Sequence, residues 1–412
     1  MRVIVLGAGL LGVTSAYYLR QLGHEVTVVD RHAAPCAKAR GRASAEPAAA
    51  PPPLRPAAPP PGRIASALAA IRRAVQERMA RLAVTFGAPK PDPIEHMARL
   101  VAYSRETARA LSADAGVPQA PCNTGLLKFF MDRRAFDNVL DRAPRLKALG
   151  CEALPVSVDE ALRIEPALSA MRAQLAGATY VADDPTRDPE QAATSMVFLC
   201  RAAGVRFLTG HTVVALGRRQ DRIERIDLTD RHGQPLTLRA HAYVMALGAG
   251  SVPHAQALGI DLPLHLVREY IVTLPIKEAS RAPRVGLHDQ SGKLRIDRVQ
   301  TDLGDCLRVS ALVPAGIDEE REPDSDRFNA ILRRVSLVLP GVGDTSRATL
   351  TTQMHAASAD GLPLVGRTRL RNLFLNIAPG AQGWVNAGGA GKSIARIVSG
   401  LRPELSFAFT GR

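Results

Sequence analysis

Aromatic residues make up only 4% of the 412 residues, which leaves few platforms for stacked bases. Positive charge is plentiful but not concentrated: 53 Lys and Arg stand against 39 Asp and Glu, a formal net charge of +14. Arginines greatly outnumber lysines and are scattered, with no run of five or six basic residues. Binding along a phosphate backbone needs clustered cations, so no nucleic-acid partner is indicated. The five cysteines, Cys36, Cys122, Cys151, Cys200 and Cys306, lie far apart without a Cys-x-x-Cys pair. They support neither a disulfide framework nor a zinc knuckle, and no metal is expected. Long apolar runs are missing too. The longest uncharged apolar stretch, Val3 to Leu19, has 17 residues and three glycines, too short and too interrupted to span a bilayer. No small-residue cleavage site follows it, and Glu25-Val-Thr-Val-Val-Asp30 continues a strand pattern, so a secretory leader is not indicated and the cytoplasm is the expected compartment.

What is present is ordinary for a globular chain: 46% hydrophobic and 22% charged residues. At roughly 100 to 200 residues per domain the length suggests two or three domains. One segment breaks the average. From Ala43 to Gly62, fifteen of twenty residues are Ala or Pro, a composition with little to bury and many missing amide donors, which predicts an extended loop. Beyond it Ile64, Leu68, Ile71, Val75, Met79 and Leu82 recur at helical spacing, with Arg72, Arg73, Arg78 and Arg81 off the stripe. Such a helix covers a core with a solvated basic face; peripheral contact with an anionic membrane surface is the alternative.

The first thirty residues carry the most specific pattern. Arg2-Val-Ile-Val-Leu6 reads as a strand, Gly7-Ala-Gly9-Leu-Leu-Gly12 as a turn, Val13 to Leu22 as a helix closed by Gly23, and Glu25 to Asp30 as a second strand ending in an acid. Gly7 permits a sharp turn, Gly9 lets a pyrophosphate approach the backbone, and Gly12 packs helix on strand. The helix N-terminus then faces the phosphates. Asp30 stands where an acid can accept from a ribose hydroxyl. NAD and FAD share this fingerprint. A second glycine signature near the far end of the chain favours FAD held by both ends.

Further along, Asp92-Pro-Ile-Glu95 starts a helix running to about Ala113. Gly125 to Phe130 reads as a strand, Val158 to Ile164 as a helix, and Asp188 as the cap of a helix over Pro189 to Ala203. Strands follow at 205–208, 212–216, 223–228 and 236–238. Ala242-Tyr-Val-Met-Ala-Leu-Gly248 is an apolar strand entering small residues, where the chain can pass close to a cofactor. Glu269 to Leu274, Leu294 to Arg298 and Cys306 to Leu312 suggest an antiparallel sheet. Gly388-Gly-Ala-Gly391 is expected to lead into a helix from Lys392 to Ser399, offering free amide donors.

Val3 to Tyr17, Tyr243 to Gly248, Pro340 to Ser346, Asp360 to Thr368 and Asn372 to Asn376 with Gly383-Trp384 together resemble the bacterial D-amino acid dehydrogenase small subunits. These belong to the FAD-dependent amino acid oxidoreductases that include glycine oxidase. The likeness spans nearly the whole chain. It implies an α/β fold, a Rossmann-like FAD-binding domain with a second, α+β substrate domain on an antiparallel sheet. The expected division assigns 1–90, 186–263 and 346–412 to FAD binding, and 91–185 and 264–345 to the substrate domain. It implies Val3, Gly7, Ala8, Gly9, Leu10, Leu11, Gly12, Tyr17, Asp30, Arg31, Gly248, Gly383 and Trp384 as cofactor-binding residues, and Tyr270 and His355 as substrate-positioning ones. The activity implied is oxidative deamination of a D-amino acid to a 2-oxo acid and ammonia, with electrons passed to an acceptor such as a quinone.

Three stretches depart from the family pattern. Where relatives carry Ser-Phe-Ala-Asn-Ala-Gly-Gln, the chain reads Ala43-Ser-Ala-Glu-Pro-Ala-Ala49. Ala378-Pro379-Gly380 replaces Gly-His-Gly. His355 occupies the place of an arginine whose fork holds a substrate carboxylate. An imidazole cannot make that bidentate pair, so carboxylate binding weakens by about 2 to 5 kcal/mol unless Arg295, Arg298 or another arginine substitutes. These departures keep two alternatives open: a diverged non-catalytic flavoprotein, and a flavin oxidoreductase for another amine or imino acid.

Overall fold

The computed structural model describes residues 1–36, 93–115, 125–182, 189–301, 303–314, 325–358, 361–377 and 386–405. The Ala/Pro segment, the basic amphipathic stretch 64–82, Asp92, Cys122, Asp188, Asp360 and the Gly383-Trp384 pair lie outside the described residues.

The opening apolar run forms β1 (Arg2–Leu6), with β2 (Glu25–Asp30) parallel on one side and β10 (Ala242–Met245) parallel on the other. Outside β2 lies β6 (Arg206–Thr209), and outside β10 lie β17 (Leu373–Ile377) and the antiparallel edge β16 (Leu364–Arg367), giving a six-stranded sheet. Both faces are covered, which is why these strands read as continuous apolar runs rather than alternating ones. Val3, Val5, Val26, Val28 and Val244 pack beneath α1 (Leu10–Gln21), α5 (Pro189–Ala202) and α8 (Ala387–Val398). Ile4, Leu6, Tyr243, Met245 and Leu375 face the small sheet of β7 (His211–Arg219), β8 (Arg222–Asp230) and β9 (Pro235–Leu238). Asn372 pins that small sheet down, accepting from the Ile223 amide at 2.8 Å and donating to the Ile223 carbonyl at 2.9 Å.

The second sheet has eight strands in the order β15 (Thr349–Ser358), β11 (Leu264–Pro275), β14 (Gly304–Pro314), β13 (Leu294–Thr301), β12 (Gly286–Asp289), β3 (Leu126–Phe130), β5 (Gly177–Val181), β4 (Leu154–Val156). It is antiparallel except where β12 runs parallel to β3, a pairing between distant segments that local pattern does not announce. β15 pairs with β11, so residues 349–358 stand in this sheet although the sequence division grouped them with cofactor binding. One face is an apolar core, in which Leu127, Phe129, Tyr270, Val272, Leu287, Ile296 and Val309 meet α4 (Val158–Ile164), the 3-10 turn Pro166–Gln174 and α7 (Ser325–Val338). Phe136 of α3 (Arg133–Ala148) packs against Phe130, their tilted rings 5.7 Å apart. The fully buried Glu165 accepts from the amides of Ala167, Arg284 and Val285 at 3.0, 2.6 and 3.0 Å, fixing the entry to β12.

The C-terminal glycines do something other than the sequence suggests. The final helix starts at Ala387, so Gly388, Gly389 and Gly391 lie inside it rather than before it. They are there for close packing. A Cβ on Gly389 would meet Ser104 Oγ of α2 (Pro93–Ala115) at 2.6 Å, and one on Gly391 would meet Thr14 Oγ1 of α1 at 2.5 Å. The Gly389 amide donates to Ser104 Oγ at 3.2 Å, so it is not a free donor.

Candidate cofactor and substrate site

The turn between β1 and α1 is built around three glycines with separate duties. Gly7 has φ +105°, and a Cβ there would lie 2.4 Å from the Ala246 carbonyl oxygen. That close approach joins the turn to the end of β10, where Gly248 takes φ +61°. A Cβ on Gly12 would fall 1.8 Å from the Gly7 carbonyl oxygen, so the first turn of α1 sits directly on the loop. Around Gly9, by contrast, nothing lies within 4 Å of a built Cβ. Gly9 is also the N-cap of α1, with no side-chain cap and no acid in the first helical turn. The amides at Leu10 and Leu11 therefore begin the helix without a side-chain acceptor, in open space, and at the positive end of its dipole. This arrangement fits a pyrophosphate.

Asp30 stands beside this turn at the tip of β2. Its Oδ2 accepts from the Ala8 amide at 2.6 Å and its Oδ1 from the His32 amide at 2.8 Å. A carboxylate oxygen has more than one acceptor direction, so an acid held this firmly can still take ribose hydroxyls. Arg31 follows, exposed. Val3 and Tyr17 are different. Both are buried in the core beneath the helices, Val3 near the start of β1 and Tyr17 in the second half of α1; their part is packing. The residues that fit an FAD are thus Gly7 to Gly12, Asp30 and the turn at Gly248.

Tyr270 and His355 do not converge. Tyr270 is 5% exposed in the apolar core of the second sheet, whereas His355, on the neighbouring strand three residues from Tyr270's partner Thr352, points from the opposite face. The register shows this: His355 pairs with Val267, and Tyr270 pairs with Thr352, so their side chains alternate to different sides. His355 Nε2 is 2.8 Å from Glu269 Oε2 on that second face. The position where the resemblance places a carboxylate-binding arginine thus holds an imidazole already engaged by a carboxylate. Arg298 does not substitute, since it stands on the core side of the alternation and its Nε donates to both Asp305 oxygens at 3.0 and 2.9 Å.

The same face carries a cluster that motif reading passed over. Lys128 pairs with His288, and His288 with Arg295, which puts the three in one row across β3, β12 and β13. Burial lowers the His288 pKa, and the neighbouring Lys128 and Arg295 charges lower it further, to about 4. Burial likewise lowers Lys128. Because His288 binds its proton less readily folded than at the ordinary 6.5, its contribution is whole above that value and is lost as pH falls towards 4. The urea midpoint is expected to drop between pH 6.5 and 4, and His288→Gln to flatten that part of the profile; an unchanged profile would show that His288 is not the group responsible. A lone lysine inside Leu-Leu-Lys-Phe-Phe was the available signal for this cluster.

Among the described residues no group of three or more His, Cys, Asp and Glu could hold a metal, and no helix is long and apolar enough to cross a membrane. Among the described residues, Cys36, Cys151, Cys200 and Cys306 form no disulfide. Burial raises the Cys200 pKa to about 12.

A largely parallel sheet with an open glycine turn, from which the chain twice leaves for a second sheet with a polar face and twice returns, is the architecture of a two-part dinucleotide-binding protein. The sequence profile of the FAD dependent oxidoreductase family matches residues 2–397, and the chain belongs to that family. It is 34% identical to a D-amino acid dehydrogenase of Dechloromonas aromatica, over 99% of each chain, and 31% identical to one of Methylobacterium radiotolerans, over 98% of this chain and 97% of that one. Among solved structures it shares its fold with L-proline dehydrogenase from P. horikoshii (TM-score 0.73, 16% identity, 98% and 94% covered). Glycine oxidase from Geobacillus kaustophilus shares it too (TM-score 0.67, 19% identity, 100% and 98% covered).

Proposed function

We propose that the chain binds FAD and oxidatively deaminates D-amino acids to 2-oxo acids and ammonia, delivering the electrons to an acceptor such as a quinone. The observation that carries this reading is the end-to-end similarity to D-amino acid dehydrogenases, in a chain that keeps the open phosphate turn at Gly9. Bound FAD supplies a two-electron acceptor, which no side chain provides. The substrate loses a hydride equivalent from its α-carbon and a proton from its amine; water then adds to the imino acid and ammonia leaves. The protein's part is to orient the amino acid and exclude water. An amine arriving neutral needs no general base. We assign the pyrophosphate to the Gly7–Gly12 turn, the ribose to Asp30, and the isoalloxazine side to the Gly248 turn, with the polar face of the second sheet over it. The proposed division remains cofactor binding by 1–90, 186–263 and the end of the chain, and substrate binding by 91–185 and 264–345, extended here to 358. Peripheral membrane contact through the basic stretch 64–82 is the alternative to a solvated basic face, and sedimentation with anionic liposomes at low salt tests it.

A second reading, oxidation of a different amine or imino acid, is favoured by the His355–Glu269 pair. The variant His355→Arg separates the two. If only the missing fork limits D-amino acid binding, kcat/KM for D-alanine rises by about tenfold or more, with FAD binding unchanged. No gain, with FAD bound normally, means the substrate lies elsewhere or the chain is not a D-amino acid enzyme; a panel of amines with an artificial dye acceptor then decides.

A further inference from the structure

We infer that the carboxylate of the substrate is held by Lys128, with Arg295 and Arg308, at the end of the polar sheet face remote from His355; the inference rests on the amino acid oxidation proposed above. The placement follows from register. Lys128, His288, Arg295 and Ser310 form one row across four adjacent strands, and Gly286, Asp297 and Arg308 form the next. Neighbouring strands lie about 4.8 Å apart, so these side chains share one surface patch. All of them project to the side opposite the apolar core that holds Leu127, Leu287, Ile296 and Val309.

Charge on the patch is unbalanced. Arg295 is tied to Asp297, its Nε donating to Oδ2 at 2.7 Å. Lys128 and Arg308, by contrast, have no hydrogen-bond or ion-pair partner among the described residues. Lys128 is half-buried, its ammonium 5.4 Å over the Phe130 ring. A partly desolvated ammonium without a counter-ion is costly, and an anion placed beside it recovers that cost. His288 is uncharged at neutral pH and can donate a further hydrogen bond without adding charge. Gly286 lets the Asp297 carboxylate lie close over β12, since a Cβ there would meet Asp297 Oδ1 at 2.9 Å. The opposite end of the face is hostile to a carboxylate, because Glu269 occupies His355. A substrate carboxylate therefore goes to the lysine end.

A carboxylate of an amino acid can be the α-group or a side-chain group, and the experiment distinguishes them. The variant Lys128→Met keeps the stem and removes the charge, while Lys128→Arg keeps a cation. Two readouts are used on the FAD-loaded full chain: thermal stabilisation by acetate and by glutarate, and KM against kcat for D-alanine and D-glutamate. Lys128→Met is expected to abolish the carboxylate-induced stabilisation and to raise KM by about 10- to 100-fold with kcat little changed, and Lys128→Arg to retain most of both. Loss for D-alanine and D-glutamate alike assigns the α-carboxylate; loss for D-glutamate alone assigns a side-chain carboxylate. Stabilisation by carboxylates that disappears in Lys128→Met, in a protein that oxidises no D-amino acid, keeps this anion site and removes the proposed activity. Unchanged stabilisation and unchanged KM in Lys128→Met overturn the inference, whatever the activity proves to be.

Discussion

Replacing Gly9 by valine is expected to abolish FAD retention while leaving the flavin-free fold intact. Nothing stands within 4 Å of where the new Cβ would lie, and the backbone there is extended, with φ −70° and ψ 175°, which valine adopts readily. The cost to the flavin-free protein is expected to stay within about 1 kcal/mol. The added branch fills the space we assign to the pyrophosphate and screens the first amides of α1, so FAD affinity falls by more than about 100-fold. Gly12→Ala is the contrasting variant. Its Cβ would lie 1.8 Å from the Gly7 carbonyl oxygen, so fold and flavin are lost together. Equilibrium dialysis of FAD and urea unfolding of the flavin-free proteins check both. A Gly9→Val protein that keeps wild-type flavin affinity would remove the phosphate from this turn.

The second large effect belongs to the final helix. Gly391→Val places branches against Thr14, whose Oγ1, Cβ and carbonyl carbon would lie 2.5, 2.6 and 2.8 Å from the new Cβ. The carbonyl carbon is backbone of α1, the helix that carries the phosphate turn, and it cannot rotate away. Overpacking of this kind costs about 3 kcal/mol or more, even though valine has the better helix propensity. Thr14→Ala in the same chain removes the Oγ1 clash alone and recovers only part of the loss, a coupling that a double-mutant cycle measures. If Gly391→Val unfolds at the wild-type urea midpoint, α1 and α8 do not pack as described.

Much of the nucleotide half was legible because its signals are local. Strand, glycine turn, helix, strand and acid follow one another within Arg2 to Asp30, and each residue type has a steric or dipolar reason to be where it is. The helix Val158–Ile164 was equally plain, and Ser157 and Glu160 close it with reciprocal hydrogen bonds. The glycines at 388–391 misled because a turn and a close helix crossing both ask for a missing Cβ, and only the neighbour, Thr14 or Ser104, tells them apart. β15 was obscure since Thr349-Leu-Thr-Thr-Gln-Met-His-Ala-Ala-Ser is a polar strand at a sheet edge with no alternating apolar face. The cationic patch could not be assembled from spacing: a lysine inside Leu-Leu-Lys-Phe-Phe marks Lys128 alone, and only a parallel pairing of distant segments brings His288 beside it. Tyr270 and His355 were separated by the same arithmetic, since a period of two decides the face only once the register is known.

The central claim is that this chain holds FAD and takes electrons from a D-amino acid. The direct measurement is the visible absorbance of the purified, FAD-supplied protein under anaerobic conditions, before and after addition of D-amino acids and of their L-enantiomers. The account predicts a flavin band that bleaches with D-amino acids and not with the L-enantiomers. A protein that shows no flavin band after FAD is supplied, or one whose band bleaches with neither enantiomer of any amino acid, would contradict it.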